Sequence, residues 1–453
     1  MLSTVSPPKA SETLLCVNPD AAGLDIGHDE IWVCVPTDRA TPAVRVFGTY
    51  TPDLKALADW LVQCGIQTAA LESTGVYWIP IYEILEARGI KVYVVNARHL
   101  KHVPGRKSDI QDCQWIQRLH TYGLLTASFR PAADLCAIRS YVRQRAMLIE
   151  YRAAHIQHMQ KALQQMNVQL TQVLSDITGK TGLAIIRAIL AGEQDPQRLA
   201  QLRDERCAKS EAEIVKALTG NYRAEHLFTL KQAVTLYDLY TTQIQDCDTE
   251  LERLWQAQRP VRDQDLPALD ASDKRNTHSK NAPTYDARTL LYEVVGVDLV
   301  AISGLNVSTV QTILSDTGLD LSAFPSEKHF CSWVNVAPRN DISGGKVLRS
   351  RTLKSGNRAG QAFRLAAQSV SRKQDEFGAY YRRQRARLGP EQAIVATAHK
   401  IARAFYHVLK HRTPFRSLSA DDYNQQVRDR EVARLKKKAT QLGFTLAPVP
   451  ASA

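Results

Sequence analysis

The sequence predicts an α/β N-terminal domain over residues 21–130, a helical coiled-coil arm over residues 131–260 and a mainly α C-terminal domain over residues 286–415. Three observations carry this prediction. Short β-type runs alternate with amphipathic helices at the start, apolar residues recur at heptad spacing in the middle, and helical periodicity dominates the last third. The chain of 453 residues is also too long for one hydrophobic core, which rarely serves more than about 250–300 residues.

The N-terminal domain opens with three β-type runs, at residues 22–26, 31–35 and 44–47. They are followed in order by a helix (52–64), a strand (68–71), a helix (77–87), a strand (92–95), a polar stretch (98–107) and a helix that begins near Ser108. Three leading strands followed by α/β alternation is the order of an RNase H-like fold. In that fold the first and fourth strands are neighbours, and the last helix packs across them.

The arm is predicted from two heptad seams. One seam combines two sets of residues spaced seven apart, and the second runs along a later helix with Thr241 and Asp248 as polar interruptions. The seams consist of Ile156, Met159, Leu163, Met166, Leu170 and Val173, and of Leu227, Leu230, Val234, Tyr237, Ile244 and Leu251. They indicate an antiparallel hairpin or a dimer arm; two ordinary amphipathic bundle helices are the alternative.

The other segments are assigned by composition. Residues 1–20 are predicted to be a flexible tail, residues 261–285 a polar linker, and residues 416–453 a basic helix and tail. Within the C-terminal domain, residues 296–307 and the following helix resemble a helix-hairpin-helix, which grips the DNA backbone without reading bases.

The composition favours a nucleic-acid partner. The net charge is +12 and the pI is about 9.3, which points to a polyanion. The eight cysteines form no C-x-x-C pair, so neither a zinc knuckle nor a redox motif is predicted. No apolar run reaches the roughly 18 residues that cross a bilayer, and no apolar leader is present. We therefore expect a cytoplasmic protein with reduced thiols and no membrane partner.

Four acidic residues stand where an RNase H-like fold would bring them together. Asp25 ends the first strand, Glu72 follows the strand at 68–71, and Asp109 and Asp112 lie three residues apart at the start of a helix, on one side of it. Four gathered carboxylates would repel one another, and divalent cations remove that conflict. Mg²⁺ is the first choice and Mn²⁺ the second, since both take oxygen ligands. Two such ions about 4 Å apart can bind the attacking and leaving oxygens of a phosphodiester.

Each acid also has a structural interpretation. An acid at a strand end is common in turns, and Ser108 with Asp109 suits the start of a helix. We interpret the combination as a metal site. In that hypothesis Glu72 and Asp109 are ligands, Asp25 bridges, and Asp112 is a ligand or a base.

These motifs, taken with a second block, resemble the DEDD transposases of bacterial insertion sequences. The N-terminal block comprises residues 23–27 (GLDIG), 72–77 (ESTGVY), 96–98 (NAR) and 107–112 (KSDIQD). The C-terminal block runs from residue 330 to residue 346 and ends APRNDISGGK. Asp112 is followed by Cys-Gln-Trp, where many members continue with an Ala-Arg type sequence, but both acids of the motif are kept.

The resemblance implies a RuvC-like N-terminal domain, a coiled-coil arm and a C-terminal transposase domain. It also implies that the nucleophile is a serine of the C-terminal domain, which on the family pattern is Ser343. Members of the family form a phosphoserine link to DNA and are guided by a noncoding bridge RNA from their own element. The RNA follows from the resemblance alone.

The residues around Ser343 are compatible with that role. Gly344 and Gly345 allow the backbone to approach a phosphate, and Lys346 adds positive charge. A serine hydroxyl needs a base or a metal to activate it. No histidine is close in sequence, so the activator would be the acid cluster, in the same protomer or in a partner. A hairpin or surface loop without chemistry is the structural alternative.

Two other serines compete with Ser343. They are Ser350 and Ser355, of which Ser355 stands before Gly356-Asn357 and is more typical of a helix N-cap. Cations nearby are predicted to bind nucleic-acid phosphates, with a solvated helix face as the alternative. These cations are Lys346, Arg349, Arg351, Lys354, Arg358 and Arg364.

The sequence therefore predicts a DNA recombinase that cuts and exchanges strands through a phosphoserine intermediate. The alternatives are a metal-dependent RuvC-like nuclease or junction resolvase that uses water, and a non-catalytic nucleic-acid scaffold. Double-stranded DNA and a guide RNA are the expected partners. A homodimer or homotetramer is expected because recombination handles four DNA ends.

Overall fold

The computed structural model describes residues 15–73, 75–96, 108–262, 266–269, 280–352 and 356–447. Contacts divide the chain into two compact units, Met1–Arg130 and Pro131–Ala453. The polar stretch predicted at 98–107, most of the predicted N-terminal tail and part of the predicted linker lie outside the described residues. The domain boundaries expected within the second unit stay predictions.

The first unit is built on a five-stranded mixed sheet. Its strand order is β3-β2-β1-β4-β5, where β1–β2 and β2–β3 are antiparallel and β1–β4 and β4–β5 are parallel. The strands are β1 (Ala21–Ile26), β2 (Glu30–Cys34), β3 (Val44–Gly48), β4 (Thr68–Glu72) and β5 (Lys91–Val95). The first and fourth strands are therefore neighbours, as the sequence predicts.

Helices cover both faces of this sheet. They are α1 (Thr51–Gln63), α2 (Trp78–Ala87) and α3 (Asp109–Thr121). On one face Leu24 and Leu71 share a buried core with Leu57 of α1 and Ile81 of α2. On the other face Ile116 of α3 packs with residues of β4 and β5. The predicted α/β architecture of this unit is confirmed, with element ends that differ from the prediction by about one residue.

Two long antiparallel helices form the frame of the second unit. They are α4 (Ala133–Gln165) and α9 (Ala224–Ala257). The guanidinium of Arg145 donates to Asp248 at 2.5 Å, and Arg152 donates to Thr241 at 3.4 Å. The residue numbers rise along α4 as they fall along α9, so the two helices run in opposite directions. The two helices therefore pack as an antiparallel pair within the chain, and a role of this pair as a dimer arm stays a prediction.

Four short helices lie between these two in the sequence. They are α5 (Leu170–Val173), α6 (Lys180–Leu190), α7 (Pro196–Ala200) and α8 (Glu211–Leu218). Their apolar residues, Leu170 among them, form one core with Met159, Leu163 and Met166. The first heptad seam is therefore not a continuous coiled coil. Helix α4 ends at Gln165, and Asn167 adopts a left-handed φ of 54°, so the last seam residues enter a helical head instead.

The rest of the second unit is helical except for one hairpin. Its elements are α10 (Ala287–Val295), α11 (Val307–Thr317), α12 (Glu327–Trp333), β6 (Arg339–Ser343), β7 (Lys346–Arg351), α13 (Arg358–Ser369), α14 (Glu376–Leu388), α15 (Pro390–His411) and α16 (Ala420–Gln441). Phe330, Phe363 and Phe405 pack together in its core, with ring centroids 5.5–6.1 Å apart. The N-cap of α13 is Asn357, which accepts from the Gly360 amide; Ser355, the predicted cap, lies outside the described residues.

Helices α10 and α11 form a helix–loop–helix where the sequence resembled a helix-hairpin-helix. Gly296 ends α10 in the left-handed conformation, with φ of 78°. Asn306 and Thr309 form a capping box that starts α11. Among the described residues, no helix is long and apolar enough to cross a membrane.

Candidate active site and nucleic-acid surface

Asp25 and Glu72 lie side by side at the carboxyl ends of two parallel strands. The register pairs Leu24 of β1 with Leu71 of β4, and each acid is the next residue along its strand. Neighbouring strands are about 4.8 Å apart, so the two acids occupy adjacent positions. Leu24 and Leu71 point into the core, and alternation directs both acids to the opposite face, where they are half-buried.

Helix α3 packs directly on that face of β1. Gly23, two residues before Asp25, permits the contact: an added Cβ would meet Cys113 O and Gln117 N and would lie 2.7 Å from Gln117 Cα. The helix backbone therefore rests on the strand where no side chain intervenes. This close approach sets the height of α3 above the two strand-end acids.

Asp109 and Asp112 occupy the first turn of α3. Ser108 is the N-cap and accepts from the Gln111 amide at 3.4 Å, which confirms the helix start that the sequence indicates. Asp112 is half-buried and is followed by the fully buried Cys113, whereas Asp109 is exposed. Both acids benefit from the positive end of the helix dipole.

The charge of Asp25 affects the pKa of Cys113, a residue of α3. A hydrogen bond with Cys34, burial, and the charge of Asp25 together raise the pKa of Cys113. Cys113 also donates to the carbonyl of Ile110 at 3.1 Å. The strand acid and the first turns of the helix are therefore close enough to interact electrostatically.

The donor chemistry of this region fits a hard divalent cation, because the strand ends and the helix start supply carboxylates alone. The side chains are not gathered into a finished site. Among the residues described in the first unit, no three His, Cys, Asp or Glu side chains are grouped closely enough to hold a metal ion. Asp25, Glu72 and Asp112 all have other interactions in this state.

Two residues beside the strand-end acids were not predicted from the sequence. His28, in the turn after β1, packs edge-on against Tyr77, in the segment after β4, with ring centroids 5.5 Å apart. His28 also contacts Asp29 at 2.5 Å. A sequence signal existed for both, because His28 lies two residues after β1 and Tyr77 ends the ESTGVY motif that begins at Glu72.

Ser343 is the last residue of β6, at the turn of the β6–β7 hairpin. Gly344 and Gly345 form the turn with left-handed φ values of 54° and 76°, which a two-residue hairpin of this type requires. All residues of both strands are exposed. The segment is therefore a hairpin, as one interpretation predicted, and Ser343 is exposed in it; the role of Ser343 stays a prediction.

One face of the hairpin combines Ser343 with the four cations of its two strands. Register pairs Ser343 with Lys346, Asp341 with Arg349, and the two terminal arginines, Arg339 and Arg351, with each other. Arg339, Asp341 and Ser343 alternate along β6, and cross-strand partners share a face, so the register, with its irregularity between Asp341 and Ile342, assigns Arg351, Arg349 and Lys346 to the face of Ser343. That face carries four positive charges and one negative charge, which suits a phosphodiester.

The other predicted phosphate contacts differ in their surroundings. Arg358 is exposed at the start of α13. Arg364 is half-buried and donates to the backbone carbonyl of Asn335 at 2.5 Å, so it supports the fold where Asn335 has φ of 56°. Lys354 lies outside the described residues. The role of these cations in binding nucleic acid stays a prediction.

Two family models match the chain. A model described as a transposase, of the IS110 DEDD type, matches residues 22–168 and so includes all four acids. A model described as "Transposase IS116/IS110/IS902 family" matches residues 298–382 and includes the β6–β7 hairpin. Together they span about half of the chain. No curated protein matches it.

Proposed function

This chain belongs to the IS110-type DEDD transposases, and from that premise we propose that it exchanges DNA strands through a covalent phosphoserine formed on Ser343. The protein is an enzyme, a DNA transposase, and it binds DNA. The observation that carries the proposed mechanism is the adjacency of Asp25 and Glu72 at the ends of two parallel strands, on the face of β1 against which α3 packs. An exposed serine on a cationic hairpin supplies the second component.

The proposed fold of the first unit is RNase H-like and, more narrowly, RuvC-like. Its support is the strand order β3-β2-β1-β4-β5 with a parallel β1–β4 pair, and a last helix that packs across β1. These are the relations that bring acids from β1, β4 and the last helix to one edge.

Membership in the DEDD family indicates dependence on a divalent metal. We propose Mg²⁺, with Mn²⁺ as the substitute, held by Asp25, Glu72 and Asp109, with Asp112 either as a further ligand or, as in the reaction below, as the base. The bound metal would stabilise charge on the phosphate oxygens in the transition state. Chelation with EDTA should abolish strand cleavage, and Mg²⁺ or Mn²⁺ should restore it. Cleavage that persists in EDTA would exclude this assignment.

The reaction proposed here is a reversible transesterification. The Oγ of Ser343 attacks the phosphorus, the Oγ–P bond forms, and the bond from phosphorus to a deoxyribose oxygen breaks. The serine proton passes to a carboxylate, Asp112 in our assignment, and the leaving deoxyribose oxygen takes up a proton as it departs. Attack by a hydroxyl of a second strand on the phosphoserine reverses these steps and completes the exchange. No net hydrolysis occurs.

Three elements of the proposal concern assembly. The acid cluster and Ser343 must meet, within one protomer or between two. A homodimer or homotetramer would handle the four DNA ends. A noncoding guide RNA, proposed from family membership alone, would select the sites.

Paired variants separate this function from a nuclease that uses water. Ser343→Ala should retain DNA binding and form no covalent adduct, because the attacking oxygen is missing. Asp25→Asn should also bind DNA and should lose all cleavage. DNA hydrolysis by Ser343→Ala at the wild-type rate, but none by Asp25→Asn, would establish the nuclease instead. Full transposition by both variants would indicate a scaffold role.

A further inference from the structure

A cleft of 650 Å³ lies at the base of the β6–β7 hairpin. The hairpin contributes Ser350 and Arg351, α14 contributes Tyr380 and Arg387, and α15 contributes Glu391 and His399. This volume is within the 300–1,000 Å³ typical of small-ligand sites. No step of the proposed reaction uses the cleft.

The cleft wall is amphipathic. Apolar side chains, among them Val336, Leu388 and Val395, form part of the lining. The phenol of Tyr380 adds a half-buried aromatic group. A flat heterocycle fits such a wall, because apolar and aromatic surfaces bind the faces of nucleobases with little regard to sequence.

The polar groups of the cleft match the remaining parts of a nucleotide. Arg351 and Arg387 are exposed cations suited to a phosphate. Glu391 supplies a carboxylate, a group that can accept hydrogen bonds from base amino groups, as carboxylates do from cytosine. Burial, with a contribution from Arg403, lowers the pKa of His399, so at neutral pH its ring is uncharged and has one donor and one acceptor.

The cleft is also close to Ser343 along the hairpin. Ser350 is the cross-strand partner of Asn340, which precedes Ser343 by three residues. At about 3.4 Å per residue, the cleft lies roughly 10 Å from the serine. That distance equals about three nucleotide rises of B-form DNA.

We propose that this cleft binds one nucleotide extruded from DNA, within about three positions of the phosphate that Ser343 attacks. Enzymes that do chemistry on a base within a duplex extrude the nucleotide into a pocket that stacks and hydrogen-bonds it, and the lining of this cleft offers the same kinds of group. The position relative to Ser343 rests on the function proposed for that serine. Nucleotide capture by the cleft does not.

The test uses 2-aminopurine, whose fluorescence rises when it leaves the base stack. The probe is placed singly at each position of a duplex containing the element junction, and the full chain is added at saturating concentration. All proteins carry Ser343→Ala, so no chemistry occurs. We expect a fluorescence rise of about fivefold or more at one position within three nucleotides of the cleaved phosphate, and little change elsewhere.

Variants of the cleft test whether the fluorescence rise comes from a nucleotide bound there. Val395→Phe fills the cleft and should remove at least 80% of the rise, and Arg387→Ala should lower it by about half. Arg385→Ala is the matched control, since it removes an exposed arginine about 200° around the same helix. At saturation it should retain the full rise.

Three outcomes would overturn the proposal. These are no rise at any DNA position, an undiminished rise with both Val395→Phe and Arg387→Ala, or a rise only when the probe is placed in RNA. Failure of the serine mechanism is distinguishable, because it appears as covalent adducts formed by Ser343→Ala while the fluorescence result stands.

Discussion

Replacing Gly23 with alanine tests how the fold positions the acids. An added Cβ would lie 2.7 Å from Gln117 Cα and closer still to Gln117 N and Cys113 O. Ordinary contact begins at 3.4 Å, so α3 must move away from β1 by at least 0.7 Å. All three obstacles are backbone atoms, so no side-chain rotation relieves the contact.

The size of the effect follows from two opposing contributions. Alanine in a strand gains about 0.5–1 kcal/mol over glycine in backbone entropy. Overpacking lowers the free energy of unfolding by about 1–3 kcal/mol. We take the upper end of that range because a whole helix, and not one side chain, must shift. We therefore expect a net loss of about 2 kcal/mol in the free energy of unfolding, or roughly 5–10 °C in Tm for a unit of this size.

The same shift carries Asp109 and Asp112 away from Asp25. A displacement near 1 Å at a catalytic centre can cost about a hundredfold in rate. We expect strand cleavage by Gly23→Ala to fall by about that factor, even at temperatures where the variant is folded. Thermal unfolding and single-turnover cleavage measure the two effects.

Gly356→Ala is the matched control, because an added Cβ there meets nothing within 4 Å and its φ is outside the left-handed region. Its stability should change by less than about 0.5 kcal/mol. Wild-type Tm and wild-type cleavage in Gly23→Ala would refute the packing of α3 on β1 described above.

Two further predictions concern buried polar groups. Asp248→Ala leaves the buried Arg145 guanidinium without its carboxylate and should lower the free energy of thermal unfolding by about 3–5 kcal/mol. The double variant Arg145→Met/Asp248→Leu, which removes both charges, should recover most of that loss. A loss below about 1 kcal/mol in Asp248→Ala would contradict the pairing. Burial lowers the pKa of His120 from 6.5 to about 4, so from pH 6.5 down to 4 the unfolded chain binds a proton that the folded chain does not. The free energy of unfolding should therefore fall by up to about 3 kcal/mol between pH 6.5 and pH 4. His120→Gln should make that fall smaller. An equal dependence of the unfolding free energy on pH in the two proteins would refute the lowered pKa of His120.

The α/β elements of the first unit were predictable because their signals are local. Strands β2, β3 and β5 contain several valine or isoleucine residues, β1 and β4 are short apolar runs of alanine and leucine, and Gly27 marks the turn after the first strand. The adjacency of Asp25 and Glu72 also followed, since parallel strands end at one edge of a sheet. Whether their side chains gather around a metal depends on rotamers and on the charges present, which residue spacing does not encode.

The second unit was harder to predict, because its critical contacts are distant in sequence. The heptad spacing continues through Leu170 although the helix ends at Gln165, since the left-handed Asn167 interrupts it without disturbing the spacing. Asp248 was identified only as a polar interruption of a seam. Its partner, Arg145, is 103 residues away, and no local pattern links the two.

The β6–β7 hairpin is an intermediate case. Paired glycines at Gly344 and Gly345 are a strong turn signal, and a hairpin was one of the two interpretations. The face that Ser343 shares with the cations depends on how β6 and β7 are paired. That pairing shifts between Asp341 and Ile342. Sequence alone cannot locate such a shift, so the shared face emerged only from the structure.

The central claim is that the attacking atom is the Oγ of Ser343, and peptide mass spectrometry of the trapped protein–DNA complex tests it most directly. The complex would be formed with a nicked or suicide substrate, digested with nuclease and protease, and sequenced. The account predicts a nucleotide phosphate on Ser343. A phosphate on Ser350 or any other residue, or cleavage with no adduct at all, would contradict it.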